Sequence, residues 1–341
     1  MIKKWTVRYP AVNGEEERRA YVYLPTMYEA DPDRRYPVLY MFDGQNVFFD
    51  SDATYGKSWG MADYLDYTDT PVIVAAIECN AGPNNERLVE YSPYRFDDPN
   101  YGHFDGKGKD TLNWFVHEFK PSIDSQYRTL PDRAHTFIGG SSMGGLMSLY
   151  ALLAYNDVFG RAAALSPSLW VAPAALMNLT ARTKLASGTV LYMDYGSKEM
   201  GNHEGMRKGF GEMCGKIFAR GINLTARVVP GGTHSEASWE KQLPFVFHTL
   251  MYGLEEDRCP WLSLWENGLR NRRRGHKRRY PRWKCSILRI IVPPWAERWS
   301  ARYTAMQAAP SSISPARMAA SLILRTSTWP TRWPRGSTPA R

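Results

Sequence analysis

Hydrophobic positions fall in two alternating rhythms over residues 1–258. Strand-like runs occupy 5–9, 19–24, 36–42, 71–78, 135–139, 161–165, 189–194 and 224–229, several of them near-continuously apolar. Runs such as VLYMF (38–42) and VIVAAI (72–77) have no polar face, which suits strands covered by helices on both sides. Between them lie stretches with a helical period. Leu112, Phe115, Phe119 and Ile123 mark one apolar face over 111–127, and helices are also predicted over 143–153, 201–220 and 235–254. The first two strands, joined by a short turn, are expected to pair antiparallel, with a parallel sheet following. Strands alternating with helices predict an α/β fold with a mostly parallel central sheet of about eight strands. The longest irregular stretch, 80–109, is rich in Asn, Gly, Pro, Tyr and Asp, and a loop of that length in a compact domain usually carries function.

The rhythm stops near residue 258. Segment 259–341 holds 15 Arg, no Asp, nine Pro and seven of the twelve Trp. The chain's net charge of +9 comes from this segment alone: it carries 17 basic and two acidic residues, against 26 and 32 in the preceding body. The basic excess therefore gives little support to a nucleic-acid partner, although the run NRRRGHKRRY (271–280) keeps that reading as a competitor, with steeply salt-dependent binding as its signature. The break in composition matches a shifted reading frame in a GC-rich gene, and a continuous frame on resequencing would refute it. The expected organisation is a catalytic domain over 1–258 and a basic appendage over 259–341 that adds nothing to the fold.

Composition excludes other classes. At 43% hydrophobic and 13% aromatic, the sequence is that of a chain with a large core. The start has no apolar signal-peptide region, and no run of 18 apolar residues marks a membrane span. The four cysteines are far apart and without a C-x-x-C pair, which suits reduced thiols and a cytoplasmic setting.

The chemistry concentrates at Gly140-Ser141-Ser142-Met143-Gly144, a G-x-S-x-G between a predicted strand and a predicted helix. In that context Ser142 occupies a sharp strand-to-helix elbow, with small flanking residues to avoid neighbouring backbone and helix N–H groups behind it. A serine hydroxyl needs a base to become a nucleophile. In the order serine, acid, histidine, the base lies downstream, and His234 fits best. It stands in PGGTHSEASW (230–239), on a glycine-rich loop after the last strand and before the last helix. Asp194, at the tip of a strand, and Glu199, on the loop that follows, are both acceptable partners for its imidazole; position favours Glu199. The Met143 N–H and one from the loop after strand 36–42, best that of Gln45, are expected to form an oxyanion hole, with Gly44 allowing the turn.

With these residues assembled, the chain resembles the esterase D and enterochelin-esterase-like family of α/β-hydrolases, which includes feruloyl and acetylxylan esterases of carbohydrate esterase family 1. The matching pieces are YPVLYMFDGQN (36–46), YSPY (91–94), GGSSMGG (139–145), LSPSLW (165–170), YGSKE (195–199) and GGTHS (231–235). The resemblance implies an α/β-hydrolase fold, Glu199 as the triad acid, Gln45 as the second oxyanion donor, and no metal or organic cofactor. It implies ester hydrolysis through an acyl-enzyme on a small-molecule or oligosaccharide ester, of feruloyl, acetyl or other short-chain type. S-formylglutathione hydrolysis and siderophore-ester cleavage are the enzymatic alternatives. Asp43 and Asn46 are candidates for the alcohol side of the site, and Tyr91, Tyr94 and Trp170 for its walls, with core or rim packing as the alternative. No membrane partner is expected, and a homo-oligomer is compatible with the sequence.

Overall fold

The computed structural model describes residues 1–12, 14–99, 102–199, 201 and 206–254. The expectations for 259–341 lie outside these residues. The strands are β1 (Ile2–Ala11), β2 (Gly14–Tyr23), β3 (Val38–Met41), β4 (Ile73–Ile77), β5 (Phe96–Asp98), β6 (Gly102–Phe104), β7 (Thr136–Ser141), β8 (Arg161–Leu165), β9 (Val190–Gly196) and β10 (Asn223–Val229). The helices are α1 (Met61–Thr68), α2 (Glu86–Glu90), α3 (Gly108–Trp114), α4 (Lys120–Gln126), α5 (Met143–Ala154), α6 (Pro173–Arg182), α7 (Met206–Ala219), α8 (Glu236–Glu240) and α9 (Leu243–Met251).

Eight strands form one sheet in the order β1-β2-β4-β3-β7-β8-β9-β10. The β1/β2 and β2/β4 pairs are antiparallel, and every later pair is parallel, with Val38 of β3 facing both Ile73 and Thr136. All eight expected strands are present. The parallel run begins at β4, because β2 also pairs antiparallel with it.

Alternation along the central strands divides the core in two. Val38 and Tyr40, Ile73 and Ala75, and Ile138 point to a cluster completed by Leu112, Phe115, Ile123, Leu149, Leu176 and Phe210, on α3 to α7 and the turn inside them. Leu39 and Met41, Val74 and Ala76, and Phe137 point the other way, to Leu65 of α1, Trp239 of α8 and Leu243, Phe247 and Leu250 of α9. Helices on both faces explain why β3, β4, β7 and β8 are buried at every position.

The predicted helix over 111–127 is three consecutive pieces, α3, a π-helical turn at Phe115–Phe119, and α4. Pro121, in the first turn of α4, has no N–H to offer the preceding turn, and the wider π turn takes up the mismatch. The helix expected over 235–254 breaks between α8 and α9, where Pro244 opens the second piece. α1 and α6 were not expected. The irregular stretch 80–109 holds α2 and the β5/β6 hairpin. No helix among the described residues is long and apolar enough to cross a membrane.

Candidate active site

Four neighbouring strands end on one edge of the sheet, and each delivers a polar residue there. Ser142 follows β7, Ser166 follows β8, Glu199 lies on the loop after β9 and His234 on the loop after β10. This is the carboxyl edge, where open parallel sheets place their ligands.

Ser142 has φ 58° and ψ −120°, a strained conformation for a residue with a side chain. Its N–H donates to the Leu165 carbonyl at 2.9 Å, and its carbonyl accepts from the Ser168 N–H at 3.0 Å, which pins the elbow to β8. The surrounding glycines are there for space. A Cβ on Gly140 would stand 2.8 Å from the Gly144 carbonyl carbon, and one on Gly145 would stand 2.7 Å from the Leu165 oxygen.

His234 Nδ1 lies 2.5 Å from Glu199 Oε2. Glu199 is buried, and its other oxygen accepts from the Ser166 hydroxyl at 2.6 Å and from the Gly196 N–H at 2.5 Å. Burial pushes the Glu199 carboxyl up, but the bonds from His234, Ser166 and Gly196 outweigh it and hold the group below its ordinary value. Asp194 faces elsewhere. It accepts from the Tyr192 hydroxyl at 2.7 Å and the Ser166 N–H at 3.2 Å, and burial raises its carboxyl to about 6. The imidazole therefore bonds to Glu199.

The loop after β3 departs from the expected geometry in one respect. The left-handed residue is Asp43, at φ 57° and ψ 48°, not Gly44. Gly44 is needed because a Cβ there would stand 2.8 Å from the Ile77 carbonyl carbon. Gln45 follows in a 3-10 turn, Gly44–Asn46. Its side chain is turned away from catalysis: the amide oxygen accepts from the Cys79 N–H at 3.2 Å, and the amide nitrogen donates to Thr54 and Cys79. The backbone N–H groups of Gln45 and of Met143, the first residue of α5, belong to opening turns and lack intrahelical acceptors.

Two cavities meet at Ser142 and His234. One, of about 380 Å³, is walled by Leu88, Met143, Trp170, Tyr195 and Met206. The other, of about 530 Å³, is bordered by Asp43, Asn46, Asn80, Asn85, Ser235 and Glu236. Tyr55, Asn85 and Arg87 border both. Trp170, Asp43 and Asn46 stand at the cavities. Tyr91 and Tyr94 do not line them. Tyr91 is fully buried against Phe42, its hydroxyl accepting from the Asp43 N–H at 3.3 Å, and Tyr94 packs edge-on to Tyr150. Both tyrosines are packing residues behind the wall.

Sequence reading did not single out Arg87, Glu236, Ser166 or Trp239. Arg87 grips Asp43, and that carboxylate raises its guanidinium further despite burial. Glu236 is buried and accepts from the Asn46 amide at 3.3 Å; burial, with Asp43 nearby, raises its carboxyl. Ser166 and Trp239 sit inside the LSPSLW and THSEASW segments, and only their spatial meeting reveals them.

Residues 12–249 match the Esterase family model, described as "Putative esterase". The chain belongs to the Esterase family. It is accordingly a carboxylic-ester hydrolase with an α/β-hydrolase fold. The uncharacterized protein YbbA of Bacillus subtilis (strain 168) is 28% identical over 190 residues, covering 53% of this chain and 69% of YbbA. An IroE-like serine hydrolase from Shewanella oneidensis superposes with a TM-score of 0.58 at 23% identity, over 81% of this chain and 89% of its own. A ferulic acid esterase superposes with a TM-score of 0.52 at 20% identity, over 72% and 98% respectively. These Esterase-family likenesses describe the fold.

Proposed function

We propose that this esterase works through an acyl-enzyme with Ser142 as nucleophile, His234 as general base and Glu199 as the acid that orients it. The observation that carries the reading is the 2.5 Å bond from His234 Nδ1 to a buried Glu199, beside a serine at a strained elbow that borders the same cavities. With Nδ1 engaged, Nε2 is the nitrogen left for the serine proton. Ser142 Oγ attacks the ester carbonyl as its proton passes to His234 Nε2. The carbonyl oxygen gathers charge facing the N–H groups of Gln45 and Met143. The carbon–oxygen bond to the alcohol breaks, and the alcohol leaves with the proton from Nε2. Water then gives a proton to His234 and attacks the acyl carbon, and Ser142 recovers its proton as the acid departs.

The two cavities leave room for the two halves of an ester. The wall of Leu88, Met143, Trp170 and Met206 suits an acetyl or feruloyl acyl group. Asn46, Asn80 and Glu236 suit the hydroxyls of a sugar or other polyol on the alcohol side. Initial rates on p-nitrophenyl acetate, for wild type and Ser142→Ala in parallel, test the mechanism. Loss of about three orders of magnitude or more in the variant is expected. A variant that keeps its rate, or a wild type no faster than buffer, would overturn it. Methyl ferulate and acetylated sugars then rank the acyl and alcohol preferences.

A further inference from the structure

Trp239 meets the His234–Glu199 pair at both ends. Its ring stands edge-on to the imidazole, with centroids 5.0 Å apart and planes at 80°. Its indole N–H donates to Ser166 Oγ at 3.0 Å, and the Ser166 hydroxyl in turn donates to Glu199 Oε1 at 2.6 Å. Glu199 Oε2 meets His234 Nδ1, and the four side chains close into a ring. Glu199, Ser166 and Trp239 are all buried, with Ser166 and Trp239 also at the cavity walls, so the chain from indole to carboxylate is costly to break.

A serine has one proton to give. With its oxygen accepting from the indole, the Ser166 proton has a single buried carboxylate to meet. Ser166 is held for this role by its backbone, at φ 42°, with its N–H donating to the Asp194 carbonyl at 3.0 Å. Side-chain packing alone does not call for an indole here, since a phenyl ring supplies apolar contact without the N–H. We propose that Trp239 is a positioning residue for the hydrolysis: it directs the Ser166 proton onto Glu199 and fixes the plane of the imidazole, so that Nε2 is presented to Ser142. The inference rests on the triad reading above.

Two measurements on the full chain test it, and only one needs turnover. In Trp239→Phe the ring remains and the N–H is lost. Glu199 is then less firmly placed to stabilise the imidazolium, while Glu236 and the Arg87–Asp43 pair, the other charges beside His234, are untouched. The low-field Nδ1 proton of the His234–Glu199 bond should broaden or vanish. In steady-state hydrolysis kcat should fall about tenfold with KM within twofold, because Trp239 acts through other residues. Adding Trp239→Phe to Ser166→Ala should then cost no more than Ser166→Ala alone. An unchanged low-field Nδ1 proton, a loss confined to KM, or losses that multiply in the double variant would overturn the proposal. If Trp239→Phe does not fold, Ser166→Ala by itself must still lower kcat about tenfold, and an unchanged kcat would overturn it. A wild type without esterase activity would instead defeat the triad reading, with the low-field Nδ1 proton still deciding whether Trp239 orders the pair.

Discussion

Arg87 holds Asp43 by two bonds, Nε to Oδ1 at 2.6 Å and Nη2 to Oδ2 at 2.8 Å. The same carboxylate lies against the start of α5, where a Cβ on Gly144 would stand 2.9 Å from Asp43 Oδ2. One ion pair thus ties the loop that carries Gln45 to the elbow that carries Ser142. Replacing Arg87 by Ala leaves a buried carboxylate without its cation. The expected cost is about 2–4 kcal/mol in urea unfolding, below the fully buried limit because the Arg87 side chain is 27% exposed. At least a tenfold loss in kcat/KM should accompany it. A Arg87→Met, Asp43→Asn double variant should regain most of the stability and little of the rate.

Glu199 and Asp194 lie on the same edge yet should behave differently. Glu199→Gln keeps the shape of the side chain and removes the charge that favours the imidazolium, so kcat should fall about 10³–10⁴-fold. Asp194→Asn alters a carboxyl bonded to Tyr192 and Ser166, and its loss in kcat should stay within about tenfold. Comparable losses in the two variants would overturn the assignment of the acid.

Burial sets a pH dependence of stability opposite to that of a salt-bridged acid. Asp194 titrates at about 6, and Glu90 at about 7 despite Arg18 beside it. In an unfolded chain both would titrate near ~4. Between these limits the folded protein keeps protons that the unfolded chain has lost, so stability is full at low pH and declines as pH rises through about 6 and 7. The slope approaches about 1.4 kcal/mol per pH unit for each proton. Glu199, held low, acts in the other direction: its contribution is present above the ordinary glutamate range and is lost on acidification through its lower folded value. Denaturant midpoints between pH 5 and 8 should therefore fall for wild type and fall less for Glu90→Gln.

Gly44→Ala tests the proposed oxyanion role of the Gln45 loop without touching a reacting group. Its Cβ would meet the Ile77 backbone at 2.8 Å and 2.9 Å, and backbone cannot rotate away. The loop must lift, at about 1–3 kcal/mol in stability. The Gln45 N–H moves with it, and kcat should drop at least tenfold with little change in KM.

What could be read from the sequence follows the range of each signal. The strands were legible because β3, β4, β7 and β8 are covered on both faces, and uninterrupted apolar runs record that directly. Ser142 and His234 were legible because an elbow and a glycine-rich loop have local signatures. Arg87 was not: its meaning comes from a carboxylate 44 positions earlier, and nothing in its neighbours distinguishes it from a surface arginine. Tyr91 misled for the opposite reason. A tyrosine in an irregular segment reads as a pocket wall, yet its hydroxyl found a backbone N–H and its ring entered the core. α1 is eight residues long with two apolar side chains, Met61 and Leu65, turned fully inward, too short a record for periodicity to register.

The excursion between β4 and α3 supplies Asn80, Asn85, Arg87 and Leu88 to the cavity walls, while Ser142, Glu199 and His234 hang from β7, β9 and β10. Part of the cavity wall and the proposed catalytic residues therefore occupy different stretches of chain. Diversification confined to residues 80–109 can remodel which esters fit while the machinery that cleaves them is left standing, provided the Arg87–Asp43 tie is kept. That makes this stretch a cassette for directed evolution of the enzyme.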